Sequence, residues 1–546
     1  MPRRDRGNGP LLFTEMKDLM LTSLPTTKSR MRVRKVAGLV GALLLSVGIT
    51  TPLLSGGYPR ADQLDFVYRL RIMEFDFADL VSHLDWNRSV VFWSAGSPDS
   101  LLFRPLSYLL NGYLVLSAGN AFWLPILVSI LLHLGVVTCL YLLVFHATRS
   151  AWVAFGLVAT LATSPFALEL VAWTHLPGYL AFAFCVSLFC LIVQRALIAQ
   201  NFGTALLGAG LISFSSFFYE LGSFLALLFS ICLILWRYLG GWPWLQALKS
   251  QKFWTLVLAY TVAGLFMPVV SAANYLFLYG ANAGQQGQEI HNNVEIVAAI
   301  AGIFGAQWLI PLAFTLVWGT RLNWIPEVWP NAHIFVWMQA LFALVLVTCF
   351  FFLMAWQVRR AGRRLASGIL FLLFAPAGYA VLLAGGRAPD FETLITVLRI
   401  NNYYVYFFIV ILVASVGFLR VSDAPSRTYG QMKFQIKILL LFGTSAVAIA
   451  ALSLPMTVQL ATSEPGEQLA REHLLYMKAV SMLDESAGLH LLDTSNCDLP
   501  LYPWLLDTNG KPLDDGLGLT SIDALLYGKT VQTNDSTEFQ VYQLCG

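Results

Sequence analysis

Charge is scarce in this chain. Asp, Glu, Lys and Arg together make up 12% of its 546 residues, about half the roughly 25% usual in soluble domains. Hydrophobic residues reach 57% and the mean hydropathy is +0.66, a balance that argues against a water-soluble fold. The net charge of +3 says little about partners, because in so apolar a chain the placement of charge matters more than its sum. Nothing in it suggests nucleic acid. Also missing are a zinc motif, a phosphate-cradling Gly-rich loop, a nucleophile elbow and a dinucleotide fingerprint. Seven cysteines are present, but Cys139, Cys185, Cys190, Cys232 and Cys349 lie inside apolar runs without metal-ligand spacing and read as small lipid-phase side chains. Cys497 and Cys545 sit in a polar C-terminal tail, where a disulfide is open in an oxidising compartment.

What the chain has in abundance is apolar runs of bilayer-spanning length. Residues 1–36 carry nine Lys and Arg, ending in Arg30, Arg32, Arg34 and Lys35 directly before the run Val36 to Leu54, so the positive-inside rule puts the N-terminus in the cytoplasm. Further runs lie near 121–146, 151–168, 176–197, 203–219, 222–239, 254–279, 335–356, 367–386, 403–420 and 436–456. Alternate ends are basic: Arg149; Arg195; Arg237 with Lys249 and Lys252; Arg359 to Arg364; Arg420 to Lys437. Ile296 to Trp318 is apolar too, but counting it as a crossing would put the Arg359 to Arg364 group outside, so it reads as a re-entrant or interfacial helix pair. The expectation is an all-α polytopic membrane protein of about 11 crossings. It has a basic cytoplasmic tail (1–35), a transmembrane domain (36–456) with a large first outer loop (55–120), and an outer C-terminal domain (463–546). That last segment holds thirteen Asp and Glu against four Lys and Arg. Turn signals at Asn509-Gly510 and Asp515-Gly516 and a β-like run near Phe539 to Leu544 predict a small α+β unit.

Polar side chains gather on the expected outer face. The first outer loop holds Asp62, Asp65, Glu74, Asp76, Asp79, Asp85 and Asp99, then Phe103-Arg104-Pro105-Leu106. Glu169 and His175 follow the third crossing, and Glu220 lies in the turn Tyr219-Glu220-Leu221-Gly222. Ionisable groups beside a bilayer are costly and are functional candidates for that reason, though a carboxylate that merely reaches headgroup water explains Glu169 and Glu220 equally well. A later outer loop carries Arg387, Asp390, Glu392 and Arg399 before Tyr403, Tyr404 and Tyr406. Tyrosines there form an aromatic belt, whereas a guanidinium at the rim clamps a phosphate in two-pronged geometry. His133, in the middle of a helix, reads as an interhelical hydrogen bond.

Several of these segments, in order, resemble the GT-C superfamily of glycosyltransferases, in particular the membrane portion of the transmembrane O-mannosyltransferases that carry tetratricopeptide tails. The acids Asp62-Gln63-Leu64-Asp65 stand where that family has an acidic pair. Arg104-Pro105-Leu106 with Asn111, the Leu131 to Leu134 helix, Pro165 to Trp173 and Tyr219-Glu220 match later elements, and Tyr404-Val405-Tyr406 is a weaker echo. The chain departs from the pattern in its separated acids, in having His175 and Leu176 near the place of a basic residue, in Arg399 as the one arginine near the tyrosines, and in its tail without repeats.

The resemblance implies an enzyme of the plasma (inner) membrane and cell envelope. It would move a sugar from a polyprenyl-phosphate donor to a glycan, lipid or protein acceptor on the outer face. A carboxylate must take the acceptor's proton and a cation must stabilise the departing phosphate. Asp62, then Asp65, is the expected catalytic base. Arg399 is the expected partner of the donor phosphate, with Arg104 as the alternative or as a loop anchor. Glu169, His175 and Glu220 would line the acceptor side or orient the loop. No ligand spacing demands a metal, and the abundance of acids leaves a divalent cation open. The competing readings are a transporter or flippase of a lipid-linked or anionic substrate, and a non-catalytic lipid-binding relative. Transporters place their groups at the membrane midplane in paired halves, whereas here the ions gather at one rim.

Overall fold

The computed structural model describes residues 27–55, 77–78, 104–118, 123–172, 176–239, 242–279, 403–418, short pieces of 443–455, and three strands at 490–493, 519–521 and 540–543. Asp62, Asp65, His175, Arg399, Cys497, Cys545, the segment 296–318, the expected crossings 335–356 and 367–386, and the Arg359 to Arg364 run lie outside the described residues.

The described helices are α1 (Thr27–Thr50), α2 (Pro105–Ala118), α3 (Trp123–Thr148), α4 (Ala151–Ala162), α5 (Pro165–Ala172), α6 (Pro177–Ala199), α7 (Phe202–Ser215), α8 (Leu221–Leu239), α9 (Pro243–Ala247), α10 (Ser250–Tyr279) and α11 (Tyr403–Gly417). Among the described residues, five helical segments are long and apolar enough to cross a membrane: Met31–Leu54, Trp123–Thr148, Pro177–Ala199, Leu221–Tyr238 and Ser250–Ala273. The expected crossing at 151–168 is a pair, α4 and α5, bent by 62°. The bend has a local cause: Pro165 has no N–H to continue the ladder, and it forces the residue before it out of the helical region. The expected crossings at 203–219 and 403–420 correspond to shorter apolar helices, Phe202–Ser215 and Tyr406–Gly417. The C-terminal part of the segment expected as the first outer loop is helical, as α2.

Helix directions follow from the packing. Gly135 and Leu143 of α3 meet Phe184 and Gln194 of α6, so the two run parallel. Lys35 stands over Phe145 while Gly38 meets Tyr141, so α1 runs antiparallel to α3. Without a hydrophobic drive between helices in lipid, close approach at small residues and interhelical hydrogen bonds hold such bundles. Both are present. A Cβ on Gly156 would lie 2.6 Å from the Gly443 carbonyl oxygen. The buried Gln194 amide donates from Nε2 to the carbonyls of Leu143 (2.9 Å) and Gly417, tying α6 to α3 and α11. His133 Nδ1 is 3.0 Å from Tyr406 Oη, and both side chains are fully buried. Tyr406 therefore sits inside the bundle rather than in an aromatic belt at its rim.

In the C-terminal segment, β1 (His490–Asp493), β2 (Leu519–Ser521) and β3 (Gln540–Gln543) form a sheet of order β2-β1-β3. β1 pairs antiparallel with β2 and parallel with β3. The β-like run expected near Phe539 to Leu544 contains β3.

Candidate functional site

The polar centre of the described bundle lies where α2 begins. Pro105 takes the first helical position, where its missing N–H is no loss and its fixed φ suits the helix, and Arg104 is left just outside the helix. The start of α2 is fastened to the turn between α7 and α8: Leu106 N–H donates to the Phe217 carbonyl at 3.1 Å, and Ser107 Oγ donates to the Phe218 carbonyl at 2.7 Å.

Arg104 then reaches Glu220 with two parallel bonds, Nε to Oε2 at 2.7 Å and Nη2 to Oε1 at 2.6 Å. This is the fork geometry that only arginine offers a carboxylate. Nη1 donates to Tyr179 Oη at the first turn of α6. The guanidinium carbon lies 4.4 Å from the ring centre of Tyr219 and 5.4 Å from that of Tyr179, within cation–π range. The Arg104 side chain is 12% exposed and that of Glu220 33%, so the carboxylate is the member nearer solvent. Beneath them Tyr179, Phe182, Tyr219 and Phe407 pack together with ring centres 5.1–6.3 Å apart, edge to face except for the tilted pair Tyr219 and Phe407, and join α6, the 216–220 turn and α11.

A second contact holds α2 against α6. Asn111 Oδ1 accepts the Gly178 N–H at 3.0 Å, and a Cβ on Gly178 would stand 2.8 Å from the Ser107 Cα. Only glycine permits this approach. The Pro177-Gly178 pair is a turn signal in the sequence; its packing reason appears only in three dimensions.

Of the candidate residues, the structure brings Arg104 and Glu220 together. Glu169 lies on α5. Asp62, Asp65, His175 and Arg399 lie outside the described residues. Residues from separate motifs meet one another: Arg104 with Glu220, and His133 with Tyr406. Tyr179 and Gly178, which sequence reasoning missed, complete the site. Among the described residues no three His, Cys, Asp or Glu side chains converge as a metal site would require.

No family model matches the chain, and no curated protein matches it. Among solved structures it is similar to the apo crystal structure of the Archaeoglobus fulgidus oligosaccharyltransferase, at 12% identity and a TM-score of 0.40, over 83% of this chain and 58% of that one. It is likewise similar to the archaeal oligosaccharyltransferase AglB from Archaeoglobus fulgidus in complex with an inhibitory peptide and a dolichol-phosphate, at 14% identity and a TM-score of 0.39, over 81% and 58%. This chain spans less than two thirds of the length of those it matches. Identities and TM-scores of this size are too low to transfer the neighbours' chemistry.

Proposed function

We propose that the chain is an integral membrane glycosyltransferase that moves a sugar from a polyprenyl-phosphate donor to an acceptor on the extracytoplasmic face. The observation that carries this reading is the fastening of α2 through Arg104 and Glu220. It fixes the C-terminal boundary of the acid-rich segment 56–103 against the ends of α6 and α8, as a loop that presents a catalytic carboxylate needs. The ordered motifs support it as well. In the reaction, Asp62 takes the acceptor's proton as the acceptor oxygen attacks the anomeric carbon. The bond from that carbon to the donor phosphate breaks, and Arg399 balances the charge left on the phosphate. Asp65 is the second choice for the base. Arg104 acts with Glu220 as the loop's anchor, and Glu169 and His175 belong to the acceptor side.

The test is transfer from radiolabelled polyprenyl-phosphate sugars to membrane acceptors by the purified full chain. Asp62→Asn should lower turnover by about 10²–10⁴-fold while leaving thermal unfolding unchanged. Near wild-type turnover in that variant sinks the assignment of the base. Movement of the labelled lipid across proteoliposomes without transfer replaces the enzyme by a transporter, and binding alone replaces it by a non-catalytic lipid-binding protein.

A further inference from the structure

Helix α8 starts beside Glu220 and ends at a corner where the short helix α9 leads into α10. Arg237 stands at this corner, in the last turn of α8. An arginine in that position ordinarily answers the last carbonyls of its own helix. Here the Arg237 carbonyl accepts from Nε2 of Gln246 on α9 at 3.4 Å. The guanidinium turns to α10 instead, with its carbon 4.2 Å from the centre of the Phe253 ring. Phe253 is fully buried and its N–H donates to the Lys249 carbonyl at 3.0 Å, so the platform under the guanidinium is fixed.

Arg237 Nη1 is buried, and among the described residues no atom accepts a hydrogen bond from it. A buried cationic donor left in that state is costly, and an anionic oxygen is the acceptor that relieves it best. The described acids of the bundle are not at this corner: Glu220 stands at the opposite end of α8, and Glu169 lies on α5.

The flank of the guanidinium shows what carries the anion. The Phe253 ring meets the exposed Trp254 ring edge to face, with centres 5.4 Å apart. Trp254 heads an exposed stripe on α10 that continues through Leu258, Val262, Leu265 and Val269, a spacing that keeps them on one helix face. Tyr238, next to Arg237, is exposed as well. A free anion gains nothing from such a flank. A lipid does, because its phosphate reaches the cation while its chains cover the stripe, and tryptophan and tyrosine favour that depth. Lys249 and Lys252, both exposed within a turn of Phe253, favour a headgroup of net negative charge.

We propose that Arg237, laid on Phe253, binds the phosphate of an anionic phospholipid, one acyl chain of which runs along Trp254, Leu258, Val262 and Leu265. The site requires that the bundle cross a bilayer and is independent of glycosyl transfer.

Native mass spectrometry of the detergent-purified full chain, offered phosphatidylglycerol or phosphatidylcholine, reads the site directly. The wild type should retain phosphatidylglycerol in preference to phosphatidylcholine, and excess inorganic phosphate should not displace it. Arg237→Gln should weaken retention roughly five- to tenfold while unfolding near the wild-type temperature, which separates a binding role from a structural one. Arg237→Lys keeps the charge but loses the planar face and the fork, so its retention should fall between the two. Leu258→Asn changes no charge and should also weaken retention. The control Arg195→Gln removes one exposed cation near the end of α6 and should retain the lipid. The proposal is overturned if the control loses as much lipid as Arg237→Gln, or if Arg237→Gln, Arg237→Lys or Leu258→Asn retains lipid as the wild type does. Displacement by inorganic phosphate, or equal binding of the two lipids, overturns it as well.

Discussion

The two ends of the described bundle treat charge in opposite ways. At one end a single arginine, Arg104, is forked onto Glu220 and laid over two tyrosine rings. At the other, Lys35, Arg149, Arg195, Arg237, Lys249 and Lys252 gather with no described carboxylate among them. Three of those cations rest on aromatic rings instead, Arg237 at 4.2 Å from Phe253, Lys35 at 5.5 Å from Phe145 and Lys252 at 6.0 Å from Phe202. The positive-inside rule needs only that such charges be present at the second end. The first end needs one particular geometry. Charge used for orientation tolerates replacement, and charge used for fastening does not.

That contrast breaks most sharply at Glu220. Glu220→Ala would take from the Arg104 guanidinium, at 12% exposure, the carboxylate forked onto it, at a cost of about 2–4 kcal/mol for a pair that is partly rather than fully buried. A double-mutant cycle with Arg104→Ala, followed by unfolding in mixed micelles, should give a coupling above about 1.5 kcal/mol. Neutralising Lys249 in the same assay should change stability by less than about 0.5 kcal/mol. Equal effects at the two ends would remove the distinction.

Gly178→Ala sharpens the comparison without touching a charge. A methyl 2.8 Å from the Ser107 Cα forces α2 away from α6, and overpacking of this kind costs about 1–3 kcal/mol. If α2 is fastened mainly by the ion pair, the variant unfolds as the wild type does. If the glycine contact shares the load, the variant loses stability and α2 amides exchange faster with solvent.

Much of this was legible in the sequence. The five long apolar helices among the described residues were, because a run of about 20 apolar residues is the length a bilayer crossing needs, and so were Arg104 and Glu220 as residues worth watching. Their partnership was not, since 116 residues separate them and neither periodicity nor spacing encodes a contact of that range. The break at Ser164 was readable in Pro165, but an unbroken apolar composition hid it. Helix α2 reads as loop in the sequence because it lies in a segment dominated by Asp, Trp and Arg, and its anchors, Ser107 to Phe218 and Asn111 to Gly178, are tertiary. The neighbours Tyr403 and Tyr404 point Tyr406 to the rim, whereas its distant partner His133 decides its place.

Midway between the two ends, His133 and Tyr406 test whether a neutral polar contact behaves like the fastened end or like the tolerant one. Both are fully buried and 3.0 Å apart. Tyr406→Phe keeps the ring and its packing against Phe407 but leaves His133 Nδ1 without this partner. Interhelical hydrogen bonds in membranes average about 0.6 kcal/mol and reach about 1.7, because the separated helices find other partners. Full burial of both groups favours the upper half, so the expected loss is about 1 kcal/mol, read as a lower midpoint of detergent unfolding. His133→Leu combined with Tyr406→Phe should then cost less than the sum of the two single changes, since each single variant strands a buried polar group and the double variant strands neither. Strict additivity would mean that the contact contributes packing alone, and that specific fastening in this bundle is confined to the end where Arg104 meets Glu220.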